Sequence, residues 1–301
     1  SVYSFSHYFD IRKKDYWIEL LDFTDIPVLK LPELVPPCTV IGNLLPNIQQ
    51  HLEIPGETKV NIGTLDHFAG MIGTGNISEG SISESAGTVL SIATIVDKPI
   101  FSHAKIPIYC APFPDCYVLL PVCESGGISL EWFKNNFMQN ESYQSIDALS
   151  SDRIKSDRVM FLPYITGVNP PDFNQYARGV FFGIKAGHDR YDFSLAIMEG
   201  VSFLLRKNID HMKNAGVQIN TIISTGGGAK SDLWSQLKAN ISNHTVLIPE
   251  TEEAPSLGSA IIGAVSEGLF NSYESAIKHG VSIKKQFKPD EHQDFFEQRY
   301  L

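Results

Sequence analysis

The order of strand and helix patterns along the chain limits its fold more than any other feature. Two β-rich runs, SISESAG (81–87) and TVLSIATIV (88–96), follow one another directly, and a third, CYVLLPV (116–122), comes after a loop. Runs joined by a short glycine turn pair in antiparallel fashion, so we expect a three-stranded antiparallel start. Helix and strand patterns then alternate, which is typical of an α/β layer architecture.

Hydrophobic spacing predicts the other elements. Apolar residues recur at helical spacing over 191–214 and form one buried face of a long helix. A short helix is expected from Leu65 to about Ile72, with Thr64 as its N-cap. Further helices are predicted over 128–137, 143–151, 230–241 and 256–269, and strands over 59–62, 159–165, 179–185, 221–225 and 245–250.

Composition excludes several classes of function. The chain has 301 residues, enough for one large domain or two, and 43% of them are hydrophobic, as in ordinary globular proteins. A net charge of −10 without any run of Lys and Arg argues against nucleic-acid binding. The apolar runs are too short for a membrane helix and no secretory signal pattern is visible. We therefore expect a cytoplasmic protein with neither a nucleic-acid nor a membrane partner.

The four cysteines, Cys38, Cys110, Cys116 and Cys123, lack the C-x-x-C spacing of zinc and redox sites. No histidines stand at a spacing that would complete a metal site, so free thiols are expected and no metal ligands are assigned. The chain begins with Ser rather than Met, within a pattern that resembles the middle of a fold. This start leads us to expect a fragment of a longer protein.

One acid interrupts a stretch of glycines and small residues, GTLDHFAGMIGTG (63–75). Asp66 falls in the first turn of the predicted short helix, where backbone N–H groups stabilise negative charge. Two interpretations remain open from the residues alone. Asp66 is either a capping acid satisfied by local amides or a catalytic carboxylate.

Two glycine turns follow predicted strands. TGGGAKSDLW (225–234) is not a P-loop, because Ala229 stands where that motif requires glycine. A strand that enters three glycines and then a helix lets a ligand approach the backbone closely, so this turn is either a nucleotide or phosphate site or a plain tight turn. The pair Gly87–Thr88 is likewise an ordinary hairpin or a turn whose N–H groups and hydroxyl hold phosphate oxygens.

Several motifs together resemble the FGGY family of carbohydrate kinases. GVFFGIKAGHDRYDFSLAIME (179–199) is similar to the second signature of that family over its whole length. The resemblance extends in the family's order over essentially the whole chain, through IGTLDHFAGMIGTG, SESAGT, SGGISLEWF, PYITG with ARG, TGGGAKSDLWSQLKANI and SLGSAIIGA. Within the family, the surroundings of PYITG and ARG are most similar to ketopentose and gluconate kinases, so a xylulokinase-like member is expected.

The resemblance implies a ribonuclease-H-like actin and sugar-kinase (ASKHA) fold, with the C-terminal lobe and the tail of the N-terminal lobe. Residues 1–78 would be the C-terminal remnant of the sugar-binding domain, and residues 79–301 the nucleotide-binding domain. The family's N-terminal D-x-G-T phosphate loop is not present in this chain. Two positions depart from the family pattern: Gly167-Val168-Asn169 replaces a common GER, and Val89 replaces a serine. The resemblance also allows a homodimer.

The resemblance assigns roles to the candidate residues. Asp66 is similar to the catalytic base of the family, which takes the proton of a sugar hydroxyl while its oxygen attacks ATP. General-base catalysis of this kind contributes about 10²–10⁴-fold to the rate. Gly87 and Thr88 resemble the phosphate-binding turn. The expected adenosine site comprises Gly227, Gly228, Ala229 and Asp232, the last of these near the purine.

The implied function is ATP-dependent phosphorylation of a sugar or polyol, with Mg²⁺ delivered together with ATP. The alternative is a truncated or degenerate relative that binds nucleotide or sugar as a sensor or assembly module. Small residues of the last predicted helix are expected to allow close helix packing behind the nucleotide; they are Gly258, Ala260, Gly263 and Ala264.

Overall fold

A computed structural model describes residues 2–54, 56–101, 105–154, 158–169 and 172–301. The helices are α1 (Ile18–Phe23), α2 (Pro46–His51), α3 (Asp66–Gly73), α4 (Ile128–Phe137), α5 (Tyr143–Ser151), α6 (Arg190–Asn214), α7 (Asp232–Ser242), α8 (Ala254–Ser266), α9 (Tyr273–Gly280) and α10 (Gln293–Tyr300). Short 3₁₀ turns cover Val2–Phe5, Val28–Lys30 and Gly227–Lys230.

The strands are β1 (Phe9–Asp10), β2 (Asp15–Tyr16), β3 (Val40–Asn43), β4 (Lys59–Asn61), β5 (Gly80–Ala86), β6 (Leu90–Val96), β7 (Ile108–Cys110), β8 (Tyr117–Leu119), β9 (Val122–Cys123), β10 (Met160–Leu162), β11 (Val180–Phe182), β12 (Ile219–Thr225), β13 (Thr245–Pro249) and β14 (Ile283–Phe287). The main sheet has the order β14-β13-β12-β5-β6-β8-β7, with β9 paired to β6. Strands β5, β12 and β13 are parallel neighbours. The antiparallel pairing of β5, β6 and β8 confirms the predicted three-stranded start.

Strand β6 shows why the sheet lies between two helical layers. Alternate side chains of a strand point to opposite faces, and every residue of β6 is buried. Leu90 and Ile92 belong to the large core that includes α6. Ala93 and Ile95 pack on the other face in a smaller core with Phe68 of α3. The uncharged and mostly apolar sequence of β6 is therefore explained by its two covered faces.

Helices α3 and α8 cross at very short range because glycines face each other there. A Cβ added to Gly258 would come within 1.7 Å of the Ala69 carbonyl oxygen, and one added to Gly73 within 1.9 Å of the Ala254 carbonyl oxygen. This confirms close helix packing at Gly258, although the partner is the helix that carries Asp66. Gly263 has open space beside it, so the expected close packing is wrong at that position.

The helix boundaries test the spacing argument directly. Helices α4 and α5 match the predicted ranges, and α6 begins one residue earlier than predicted. Thr64 as the N-cap of α3 is wrong, because Leu65 occupies that position without a side-chain cap. Strands β10 and β11 form a separate two-stranded sheet. In the described ranges, no helix combines the length and the hydropathy that a bilayer crossing requires.

Candidate active site

Three neighbouring cavities open where β5, β12 and β13 end. Ligands in open α/β sheets bind in the crevice at the carboxyl ends of strands, so this is the expected place for a site. The loop after β12 separates the cavities: Gly226 lines two of them, and Gly227 lines one of those two and the third. Parallel pairing of β12 with β5 brings this loop beside the hairpin at Gly87, although 139 residues separate Gly87 from Gly226 in the sequence.

Asp66 lies at the edge of the first cavity, which we call the carboxylate cavity and which has a volume of about 230 Å³. Its side chain is 75% exposed and the residue begins α3. One carboxylate oxygen, Oδ1, accepts hydrogen bonds from the His67 backbone N–H at 2.8 Å and from the His67 ring at 3.1 Å. The described residues offer no hydrogen-bond partner to Oδ2. Local groups therefore hold one carboxylate oxygen of Asp66 and leave the other available, which is compatible with both interpretations.

The surroundings of Asp66 favour its ionised form. The hydrogen bond from the His67 ring lowers the pKa of the Asp66 carboxyl below its usual value, and partial burial opposes the shift. An ionised carboxylate accepts protons at neutral pH, which a general base must do. The remaining walls of this cavity carry the hydroxyl groups of Thr74, Ser83 and Ser85.

Gly87 and Thr88 line the second cavity together with Gly227 and Gly228, so the two glycine turns meet there. We call it the hairpin cavity; its volume is about 450 Å³, within the usual range for small-molecule sites. In the part of the chain that the structure describes, the N–H groups of Gly87 and Thr88 and the Thr88 hydroxyl have no hydrogen-bond partner. These groups are the donors that a phosphate would require.

The start of α4 fixes the hairpin from behind. The Gly127 N–H donates to the Gly87 carbonyl at 2.7 Å, and the Gly126 N–H donates to the Thr88 carbonyl at 3.1 Å. Side chains cannot be accommodated there, because a Cβ on Gly126 would lie 2.4 Å from the Val89 carbonyl carbon. The GG pair of SGGISLEWF thus orients the hairpin.

The glycine loop also approaches β5 closely. Gly226 has a φ of +76°, a left-handed conformation that favours glycine, and a Cβ there would meet the Ser85 hydroxyl at 2.9 Å. A Cβ on Gly228 would come within 2.8 Å of the Ala86 Cβ. Glycine is therefore required at both positions by packing within the chain, independently of any ligand.

Ala229 and Asp232 lie on a third cavity, the lysine cavity, which has a volume of about 560 Å³ and is lined by Lys230, Lys284 and Lys285. The Asp232 carboxylate accepts two hydrogen bonds of 2.7 Å from the Lys285 ammonium. The structure thus brings Gly87, Thr88, Gly227 and Gly228 together and places Ala229 and Asp232 on the other side of the loop.

A buried ion pair lies directly beneath the glycine loop. The Lys238 ammonium of α7 contacts both carboxylate oxygens of Glu84 at 3.0 and 2.9 Å and the Ser224 hydroxyl at 3.0 Å. A Cβ on Gly228 would lie 3.4 Å from the same ammonium. Glu84, Ser224 and Lys238 thereby join the C-terminal parts of β5 and β12 to the second half of α7.

Several residues of the hairpin cavity were not predicted from the sequence. Tyr143, Gln144 and Asp147 of α5 form one wall of the cavity, and Ser231 lies beside them. Burial raises the pKa of the Asp147 carboxyl above its usual value, and a hydrogen bond with the Ser231 side chain opposes the shift. The one available signal was the i, i+1, i+4 spacing in α5, which puts these residues on one helix face.

Comparison with known proteins decides the family. The profile of the FGGY family of carbohydrate kinases, C-terminal domain, matches residues 85–267. The chain belongs to the FGGY family of carbohydrate kinases. It is 33% identical to a xylulose kinase of Staphylococcus epidermidis over 89% of this chain and 55% of that protein. A gluconokinase of Bacillus subtilis is 29% identical over 88% of this chain and 54% of that protein.

A solved structure supports the FGGY fold. The ligand-bound xylulose kinase of Lactobacillus acidophilus superimposes with a TM-score of 0.88 at 26% identity, over 97% of this chain and 60% of that one. The predicted sugar-kinase fold is confirmed. The FGGY chain described here spans about half the length of the curated relatives it matches.

The signature that resembled the family most closely lies outside the three cavities. Its residues form β11 and the first part of α6, and none of them lines a cavity described above. Glu199 at its end is buried and contacts Arg158 and Arg299. The second half of the signature, in α6, is mostly buried, whereas its first half lies largely exposed in β11 and the loop that follows it.

Proposed function

We propose that this chain carries the nucleotide-binding part of a kinase that transfers the γ-phosphoryl group of ATP to a hydroxyl of a sugar or polyol. Xylulose is the first candidate substrate, since the S. epidermidis relative is a xylulose kinase. One observation carries the proposal. The Asp66 carboxylate and the unpartnered N–H groups of the Gly87–Thr88 hairpin open onto neighbouring cavities on either side of the Gly226–Gly227 turn.

Asp66 acts as the general base in this proposal. Its Oδ2 takes the proton of the sugar hydroxyl while the hydroxyl oxygen forms a bond to the γ-phosphorus. The bond from that phosphorus to the bridging oxygen breaks, and ADP leaves with the electron pair. Most of the rate enhancement comes from positioning and from stabilising charge on the transferring group, since phosphoryl transfer needs little covalent help from the protein.

The nucleotide binds in the hairpin cavity, and Mg²⁺ arrives with its phosphates. In the described residues, no three His, Cys, Asp or Glu side chains are grouped as a resident metal site requires. Mg²⁺ usually takes one or two carboxylates together with substrate phosphates and water. The Asp66 carboxylate would help to position the ion from a distance, and the Gly87 and Thr88 amides would hold phosphate oxygens.

We also propose the division into a remnant of the sugar-binding domain, residues 1–78, and a nucleotide-binding domain, residues 79–301. Strand β5 begins at Gly80, close to this boundary. Helix α3 packs against α8 and the sheet, so the base is held in place by the nucleotide-binding domain.

Replacing Asp66 by Asn tests the catalytic role. MgATP-dependent phosphorylation of xylulose, gluconate and glycerol is measured for the wild-type protein and for Asp66→Asn, together with the Kd for MgADP. We expect turnover of the variant to fall by about 10²–10⁴-fold with an unchanged Kd, because the amide cannot accept the proton. The alternative sensor function predicts MgADP binding by the wild type without transfer to any hydroxyl, and that result would replace the kinase proposal.

Calorimetric titration of MgADP tests the nucleotide site separately. Gly87→Leu adds a side chain at the cavity wall, and Gly187→Leu is its matched control, because a Cβ at either glycine meets no atom within 4 Å. Gly228→Trp is unsuitable, since a side chain there clashes with Ala86. Loss of binding in Gly87→Leu alone supports the site. Equal MgADP binding by both variants would show that the hairpin is not part of the nucleotide site.

A further inference from the structure

Asp147 is a half-buried acid on the wall of the hairpin cavity, and its charge has little support from the protein. It lies on α5, and none of the described cationic side chains forms a salt bridge with it; the charged group that acts on it is a second acid, Asp232. Burial without a cation raises the pKa of its carboxyl. A carboxylate kept at such a cost in a cavity is a candidate for ligand recognition.

The hydrogen-bonding capacity of Asp147 is partly unused. The Ser231 side chain lies beside its carboxylate on the cavity wall, and the Ser231 oxygen accepts the Trp234 N–H at 2.9 Å. An ionised carboxylate only accepts hydrogen bonds, so a neighbouring serine hydroxyl can act on it only as a donor. A carboxylate has about four acceptor positions on two oxygens, and one serine hydroxyl fills at most one of them. The Asp147 carboxylate can therefore accept hydrogen bonds from a ligand in the cavity.

The walls of the cavity separate Asp147 from the phosphate-binding turn. The hairpin is held by Gly127 at the start of α4, whereas Asp147 lies beside Ser231, the N-cap residue of α7. Phosphates bound at Gly87 and Thr88 would leave the nucleobase to the wall formed by α5 and α7. The apolar side chains of Leu130 and Trp234 line the same cavity and can pack against a base.

We infer that Asp147 determines nucleobase specificity by accepting a hydrogen bond from the exocyclic amine of a 6-aminopurine. This inference rests on the nucleotide site proposed above. Adenine presents an N–H donor at its 6-position, whereas hypoxanthine presents a carbonyl oxygen there. In an inosine nucleotide the carbonyl oxygen of hypoxanthine would face the Asp147 carboxylate. Both groups are acceptors, so the half-buried carboxylate would be left without a hydrogen-bond donor.

Calorimetry of the wild-type chain with MgADP, MgIDP and 2′-deoxy-MgADP gives the first test. MgIDP should bind about tenfold to a hundredfold more weakly than MgADP, the range expected for a hydrogen bond to a charged group. The deoxy nucleotide should bind as MgADP does. Weaker binding of the deoxy nucleotide with equal binding of the other two would show that Asp147 contacts the ribose, and would overturn the inference.

Asp147→Asn identifies the residue responsible. An amide both donates and accepts, so the ratio of the MgIDP and MgADP dissociation constants should fall to about one. Asp152→Asn is the matched control, because it makes the same change in the exposed residue after the end of α5 and should retain the wild-type ratio. A ratio that stays high in Asp147→Asn would refute the inference. Failure of all three nucleotides to bind the wild type would instead refute the nucleotide site itself.

Discussion

Lys238 is 1% exposed and Glu84 is fully buried, so neither charge is hydrated. Each is compensated by the other and by the Ser224 hydroxyl. Taking two charges out of water costs several kcal/mol per ion, which a well-formed pair offsets. The pair therefore adds little net stability, but the removal of one partner leaves the other charge buried without compensation.

Lys238→Met should lower the free energy of unfolding by about 3–5 kcal/mol, because it leaves the Glu84 carboxylate buried and unpaired. Urea denaturation measures the change. The double variant Glu84→Leu/Lys238→Met should recover most of the loss, since two apolar side chains need no compensation. Lys230→Met, which breaks an exposed pair with Glu252, should change stability little. A double variant as unstable as the single one would contradict this account.

Some residues of the site could be identified from the sequence, and others could not. Gly87, Gly227 and Asp66 could be found because glycine turns and an isolated acid are visible in one dimension, and the family resemblance gave them roles. Asp147 could not be found, because its significance depends on burial and on a contact with Ser231, 84 residues away. Lys238 of α7 was hidden for the same reason, since its partner Glu84 lies on β5, 154 positions earlier in the sequence.

Among the elements, α3 and α8 depend most on single residues. Gly258→Ala should destabilise the protein by about 1–3 kcal/mol, the usual effect of overpacking, because the new Cβ would overlap the Ala69 carbonyl. Gly263→Ala on the same helix should instead stabilise it by about 0.5–1 kcal/mol, as a helical glycine with open space beside it. Urea denaturation of both variants checks the difference in sign.

The same variants report on the position of the base. Separation of α3 from α8 should increase hydrogen exchange of the α3 amides in Gly258→Ala, and leave exchange in β5 and β12 nearly unchanged. Uniform acceleration over the whole chain would show that the helix crossing supports global stability alone. An increase in hydrogen exchange confined to the α3 amides would show that this crossing fixes Asp66 relative to the nucleotide cavity.

Element boundaries were predictable where local signals were strong. Helix α5 matched its predicted range, and its N-cap Ser142 accepts the Ser145 N–H at 3.0 Å. Strand β14 was missed because IKKQF has no apolar alternation and lies exposed at the edge of the sheet. The pairing of β12 with β5 is a long-range contact, which no local pattern specifies. The prediction of the fold therefore depended on the family resemblance.

Over the whole molecule, burial is distributed very unevenly. From residue 22 to residue 62 none of the described residues is buried, whereas every residue of β6 is. Segments with little buried apolar area open locally with small free energies. The contacts that tie this region to the rest include a 2.7 Å hydrogen bond from the Asn61 amide to the Ser266 hydroxyl.

Limited trypsin digestion should therefore cleave first after Lys30, which ends a short exposed 3₁₀ turn, while sites in α6 resist. The large product should keep the MgADP affinity of the intact chain, because the residues that line the hairpin cavity all follow residue 85. It should also keep α3, and with it Asp66, because that helix is packed on α8 and the sheet. First cleavage within α6 would contradict the link between burial and local stability. Loss of MgADP binding after the cut at Lys30 would show that the exposed N-terminal region stabilises the nucleotide-binding core.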